Sequence, residues 1–339
     1  MKISRRKFLF VGLAASAGMV IGGYTMHRMK GRISPLNPPN TSSVFLVSTN
    51  DREKGIEKLL QKINLATYKD AKVALKANYN SDDPFPASTH SDTIRAIING
   101  LKGAGAAEIT LAERSGVGDT RRVVENLGVV RLVEELGSKV VALDDLGPEN
   151  WSGVDSEGTH WLNGFKISKI FVESDRVVQT CCLKTHRFGG HFTMSLKNSV
   201  GLIAKSVPGE YYDYMTELHS SPFQRLMIAE INRFYNVDLV IMDAIEGFVK
   251  GGPESGDLVK PNLLMASRDR VAIDAVGVAL LRSYGSTQEV MKGSVFDQEQ
   301  IFRAAELGVG VISPSNIRVV PLDVKSEKVA QEIREILSE

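Results

Sequence analysis

The sequence predicts an α/β fold with a mainly parallel sheet flanked by helices, formed as a single large domain with insertions. Short β-type runs alternate with helical patterns along most of the chain, the βαβα order that builds parallel sheets. Polar and glycine-rich residues gather just past several expected strand ends, which is where open α/β sheets bind ligands. With 43% hydrophobic residues among 339, the chain can bury a substantial core.

The elements follow in order. Residues 44–48 form a β-type run, and residues 53–65 place Ile56, Leu59, Leu60 and Ile63 at helical spacing. A second strand covers 72–77 and gives way to a polar turn over 78–86. Ser91 or Asp92 can cap a helix running to Leu101, which Gly103 and Gly105 stop. Residues 108–112 are a strand, Asp119 starts a helix, and 139–143 are another strand. Strands over 165–172 and 176–183 flank the turn-forming Ser174-Asp175. A short helix is expected over 195–204 and a longer one over 222–235. An apolar strand over 237–242 ends at Asp243 and opens into a glycine-rich loop. A strand at 263–266, a helix at 270–283, a helix at 297–307, a strand at 317–320 and a helix at 326–337 complete the order. Residues 145–165 are a variable insertion, and no internal repeat is present.

The first 32 residues are set apart. Arg5 and Arg6, in Ser4-Arg5-Arg6-Lys7-Phe8-Leu9-Phe10, precede a mildly apolar Gly/Ala-rich stretch from Phe8 to Tyr24. This pattern is a twin-arginine export signal, an address for folded cargo and for the twin-arginine export machinery. An ordinary secretory signal or an uncleaved N-terminal anchor is the alternative. Ala15-Ser16-Ala17 offers a small-x-small cleavage site, but apolar residues continue after it. Residues 33–43 form an extended Pro/Ser linker, and 44–339 form the α/β domain. The expected location is periplasmic or otherwise extracytoplasmic.

Seven of the 41 basic residues and none of the 40 acids lie in that leader, so the body carries 34 basic residues against 40 acidic, a net charge of −6. No nucleic-acid partner is expected of a mildly acidic body. The two cysteines, Cys181 and Cys182, are adjacent. They provide no disulfide framework and too few thiolates for an iron–sulfur cluster, and they continue a strand-like run as small buried hydrophobes.

Candidate site residues sit at the strand ends. Lys76 and Asn78, two apart, share a side of their strand, and Lys184 and His186 repeat the spacing. Together they offer two cations, an amide and an imidazole, a set suited to a carboxylate or phosphate ligand; solvated strand ends are the structural alternative. Gly189 and Gly190 follow, and Thr193 or Ser195 could cap a helix whose first amides attract an anion and whose opening turns hold Lys197 and Asn198. His186 and His191 could instead hold a metal, although no third ligand is identified. Asp243 and Glu246 are candidates for general base, metal ligand or hydroxyl acceptor. Gly251 and Gly252 belong to the glycine-rich loop after them. Asp269 caps the 270–283 helix, and Asp274 points from that apolar helix toward a polar site. Ser115-Gly116-Val117-Gly118-Asp119-Thr120 lacks a full dinucleotide or Walker pattern and is better explained as a tight turn with Asp119 as cap.

At these residues the chain resembles the family known as domain of unknown function 362. The resemblance rests on Lys76-Ala77-Asn78, Lys184-Thr185-His186, Ser195-Leu196-Lys197-Asn198-Ser199-Val200-Gly201, Asp243-Ala244-Ile245-Glu246-Gly247 and the segment from Ser267 to Gly277. It covers roughly residues 70–285. Many members of that family carry ferredoxin-type cysteine motifs and some are described as iron–sulfur proteins. This chain has no such module, and the resemblance establishes neither a redox partner nor a settled activity.

Two functions follow. The first is a cofactor- or metal-dependent enzyme acting on an anionic small molecule. Lys76, Lys184 and Lys197 would hold the anion, Asn78 and Asn198 would orient it, and His186 would transfer a proton; Asp243 and Glu246 would complete the site. The second is a non-catalytic extracytoplasmic binding protein for an anionic metabolite or metal. Cofactor, metal and reaction type are unknown from sequence.

Overall fold

A computed structural model of the chain describes residues 36–339. The leader, with its twin-arginine motif and anchor alternative, lies outside the described residues. Residues 36–41 are irregular, and the first strand begins at Ser42, two residues inside the expected linker.

The strands are β1 (Ser42–Ser48), β2 (Lys72–Lys76), β3 (Glu108–Glu113), β4 (Lys139–Ala142), β5 (Trp151–Val154), β6 (Phe165–Ser168), β7 (Arg176–His186), β8 (His191–Phe192), β9 (Leu239–Gly251), β10 (Gly256–Val259), β11 (Leu263–Ser267) and β12 (Ile317–Pro321). Ten form one sheet, in the order β12-β1-β11-β9-β7-β2-β3-β4 with β10 on β9 and β8 on β7. The run β9-β7-β2-β3-β4 is parallel throughout, as is β1 with β12, whereas β11 is antiparallel to both its neighbours. The sheet is therefore mixed but mostly parallel, as the alternating elements predict.

The helices are α1 (Arg52–Leu60), α2 (Ser91–Gly103), α3 (Thr120–Asn126), α4 (Val129–Glu135), α5 (Lys169–Glu173), α6 (Ser195–Asn198), α7 (Tyr214–Ser220), α8 (Gln224–Ile231), α9 (Arg270–Ser283), α10 (Gln288–Met291), α11 (Glu299–Glu306) and α12 (Val324–Ser338). One core joins Ile56 and Leu59 of α1 and Ile94 and Ile98 of α2 to the sheet residues Val73, Leu75 and Ile241. A second joins Ile273 and Leu280 of α9 and Ile333 of α12 to Leu46, Met242 and Met265. Helix α9 is buried from Arg270 to Arg282, which explains why it is apolar nearly all round. A third core, around Trp161, Phe165, Leu202 and Met227, lies beneath the 145–165 insertion, where β5 and β6 form a separate hairpin.

Several elements differ from expectation for identifiable reasons. The strand expected over 165–172 ends at Ser168, and α5 follows, its Phe171 buried in the third core. Helix α2 is capped by His90, whose ring accepts from the Asp92 N–H, rather than by Ser91 or Asp92. Helix α6 is a single turn that tightens into a 3-10 turn over Ser199–Leu202. The most consequential difference is β9, which does not end at Asp243. It continues to Gly251, because β7 and β10 pair with its second half, beyond the Val240–Ala244 stretch that pairs with β11. The expected caps at Asp119 and Asp269 are present: Asp119 accepts from Arg122 N, and Asp269 from Val271 N and Ala272 N.

Candidate functional site

The carboxyl ends of β2, β3 and β7 open into a cleft of about 770 Å³. Lys76 and Asn78 reach it from the end of β2, and Lys184 and His186 from the end of β7. Lys197 and Asn198 reach it from α6. The four strand-end residues are those expected from their spacing, where period two puts each pair on one side, and Lys197 and Asn198 are those expected in the opening turn of the helix.

A buried polar contact joins β2 to β3. Lys76 Nζ lies 2.5 Å from Glu113 Oε1 and also donates to Ala77 O (2.6 Å) and Asn198 Oδ1 (3.0 Å). Glu113 accepts in addition from the backbone N–H of Arg114 and of Tyr79. Burial presses both Lys76 and Glu113 toward their neutral forms, and their mutual contact opposes it. Gly201 makes room for this pair, since a Cβ there would stand 2.7 Å from Lys76 Cε and 3.0 Å from Glu113 Oε1.

Three more cations line the cleft without a carboxylate partner in bonding contact among the described residues. Lys184 is fully buried and donates to Ala87 O. Arg114, also buried, donates to Val200 O (2.5 Å) and Ser115 O (3.4 Å) and touches Met215 Sδ. The Lys197 amine has no hydrogen-bond partner among the described residues, although its carbonyl accepts from Ser199 N. Burial, together with the charges of Lys184 and Arg114, lowers its pKa to about 7. The carboxylates nearer the mouth are occupied: Asp83 accepts from Ser81 Oγ (2.7 Å), and Glu254 pairs with Arg187.

Two histidines face this charge. Burial, reinforced by Lys197 and Lys184, holds His186 far below its ordinary pKa. Its Nδ1 accepts from Gly190 N (3.3 Å), so the neutral ring carries its proton on Nε2. His219, from α7, is also lowered, first by burial and then by Lys197 and Arg114 against the raising Met215 contact. Its Nδ1 lies 2.7 Å from Met215 O, a carbonyl that can only accept, so Nδ1 carries the proton and Nε2 the lone pair. Among the described residues, one neutral imidazole thus has a free donor and the other a free acceptor. With a near-neutral amine beside them, the cleft holds the components of general acid–base chemistry.

The remaining candidates lie elsewhere. Asp243 is fully buried and accepts from Arg52 Nε (2.7 Å), Thr93 Oγ1 (2.8 Å) and Ile245 N (3.2 Å), tying β9 to α1 and α2 outside the cleft. Glu246 pairs with Lys260 at 2.7 Å, also outside. Asp274 accepts from Ser195 N and Leu196 N, each at 2.8 Å. It therefore occupies the first amides of α6 that were expected to attract an anion, and it fixes Lys197 and Asn198 in place. Gly251 and Gly252 are not on the wall, but Gly252 brings Pro253 and Glu254 to it. Its φ is +59°, and a Cβ there would lie 2.1 Å from Thr185 O. His191 is not on the cleft wall, and no group of three His, Cys, Asp or Glu side chains able to hold a metal occurs among the described residues. Cys181 and Cys182 are buried, and burial raises both thiols, Cys182 to about 12.

Glu113, Arg114 and His219 were not anticipated. Strand β3 runs one residue past the expected end at Ala112, and the strand-end rule that finds Lys76 applies equally to Glu113 and Arg114. Helix α7 carries no comparable signal. The turn expected at Ser115–Thr120 is present with its Asp119 cap, and it also contributes Gly116 and Val117 to the wall.

The family described as "Domain of unknown function (DUF362)" matches residues 73–279, more than half of the chain, and the protein belongs to that family. Among solved structures it is similar to the lactate racemase apoprotein from Thermoanaerobacterium thermosaccharolyticum, at 16% identity and a TM-score of 0.44, over 68% of this chain and 54% of that one. The match thus spans about half of that protein's length. No curated relative matches the chain.

Proposed function

We propose that this member of the domain of unknown function 362 family is an exported enzyme that binds a small organic anion in the β2–β3–β7 cleft and moves a proton on it. The observation that carries the reading is charge imbalance at depth. Lys76 and Glu113 answer each other, whereas Lys184, Arg114 and Lys197 converge with no carboxylate bonded to them among the described residues. Burying like charges together is costly unless an opposite charge joins them, and a carboxylate or phosphate supplies it. The neutral histidines and the near-neutral Lys197 then give the bound molecule a donor and a base. Export through the twin-arginine route, proposed from Arg5-Arg6 and the Gly/Ala-rich stretch, would place this chemistry outside the cytoplasmic membrane.

Isothermal titration with acetate, hexanoate, methyl phosphate and inorganic phosphate tests the binding. At least one should bind wild type, and Lys197→Met should weaken that binding on the order of 10- to 100-fold, as for a lost charged hydrogen bond. Equal affinity in the variant would remove Lys197 from the site. Deuterium exchange at the α-carbon of the bound acid, followed by NMR, tests turnover. Binding without exchange would favour the non-catalytic alternative, a binding protein for an anionic metabolite. For the export proposal, Arg5→Lys with Arg6→Lys should leave the protein in the cytoplasmic fraction.

A further inference from the structure

The proposed anion accounts for the cationic depth of the cleft but not for its size or its mouth. A carboxylate or phosphate group alone fills a small part of about 770 Å³. The wall also includes Val117, Phe188, Val200, Met215 and Pro253. Two of these are large apolar side chains left in water: Val117 is 63% exposed and Phe188 53%. Singly exposed apolar residues are ordinary, but two on the wall of one cleft suggest a binding surface.

Both are held in place. The Arg187 guanidinium stacks 4.5 Å from the centroid of the Phe188 ring, and His186 meets that ring edge-on at 5.7 Å. Arg187 is itself anchored by Gly252 O (3.1 Å) and by Glu254. On the other side, Val117 N donates to Asn80 O (2.9 Å). Gly116 lies flush against the same residue, since a Cβ there would fall 2.2 Å from Asn80 Oδ1. Phe188 follows β7 and Val117 follows β3, with β2 between them in the sheet. The two side chains therefore stand on opposite flanks of the end of β2, both on the wall of the same cleft.

We propose that the ligand is an amphipathic organic anion, with its carboxylate or phosphate at Lys184, Lys197 and Arg114 and its apolar body between Phe188 and Val117. This rests on the anion reading above and adds the class of molecule.

The test is calorimetric titration with two homologous series, the straight-chain carboxylates from acetate to octanoate and the alkyl phosphates from methyl to hexyl. Affinity should climb by about fourfold per methylene buried in the cleft, and the series with the tighter short member identifies the head group. Phe188→Ser and Val117→Ser, both at well-exposed positions, should flatten the climb. Equal affinity at both ends of each series, with anions still bound, would overturn the amphipathic ligand and leave the anion site standing. An unchanged slope in both variants would overturn the assignment of these two side chains. If no anion of any length binds, the anion reading falls and this one falls with it.

Discussion

Asp243 and Lys184 are buried charges on adjacent strands, close together across the β7–β9 pairing, where Cys182 sits opposite Asp243 and Lys184 opposite Phe248. They face opposite fates. Asp243 accepts from a guanidinium, a hydroxyl and a backbone amide, so its oxygens are occupied and no wall of the cleft includes it. Among the described residues the Lys184 amine donates to one acceptor, Ala87 O, and that of nearby Lys197 donates to none. Asp243 and Lys184 are buried alike, and completeness of pairing separates them. A buried charge with every partner supplied by the chain holds the fold together. A group of buried charges left short of partners is completed by something that arrives.

The comparison can be broken first at its structural pole. Asp243→Ala should cost about 3–5 kcal/mol in urea unfolding, because it strands the nearly buried Arg52 guanidinium. The folded fraction should bind anions as wild type does. A mild loss of stability with a large loss of affinity would reverse the roles assigned to the two regions.

Asp274 lies between the poles, since it is structural in its bonds but supports the segment that carries Lys197. Asp274→Ala leaves two buried amides unpaired and should cost about 2–4 kcal/mol. Its pH dependence has a definite sign. Burial raises the folded carboxyl to about 7 from an ordinary 3.8, against the lowering effect of the two amides. Between those values the folded chain keeps a proton that the unfolded chain has lost, so this group's contribution to stability falls as pH rises from about 4 to 7. The difference between wild-type and Asp274→Asn unfolding curves across that range should show this fall, separated from the opposite slope that the lowered His186 and His219 contribute.

The smallest effect is expected at Glu246. Its pair with Lys260 is partly solvated, and Glu246→Gln should change stability by less than about 1 kcal/mol and leave anion affinity unaltered.

The sequence carried more of the cleft than of the reasons for it. Lys76, Asn78, Lys184 and His186 are legible because strand alternation is local, and Lys197 and Asn198 because a helix begins just before them. The role of Asp243 was not legible, because Arg52 and Thr93 lie 191 and 150 positions away and only the folded sheet brings them to it. Nor was the continuation of β9 through Glu246 to Gly251, where pairing with β7 and β10 overrides a glycine-rich composition that suggests a loop. Glu113 and Arg114 were within reach of the same local rule, hidden by one residue of strand length. The alternation of strands and helices fixed the fold class, while the antiparallel insertion of β11 between β1 and β9 has no local signature at all.

The most direct measurement concerns the proton on Lys197. With its pKa near 7, this amine is largely neutral at pH 8 and must regain its charge to hold an anion, so affinity should fall as pH rises above 7. Hexanoate binding, titrated in buffers of differing ionisation enthalpy, counts the protons taken up. Subtracting the Lys197→Met variant separates this lysine from His186 and His219, which face the same charge. The difference should approach one proton per hexanoate at pH 8 and vanish near pH 6. A difference near zero at both values would contradict the claim that Lys197 is the incomplete charge for which this cleft is built.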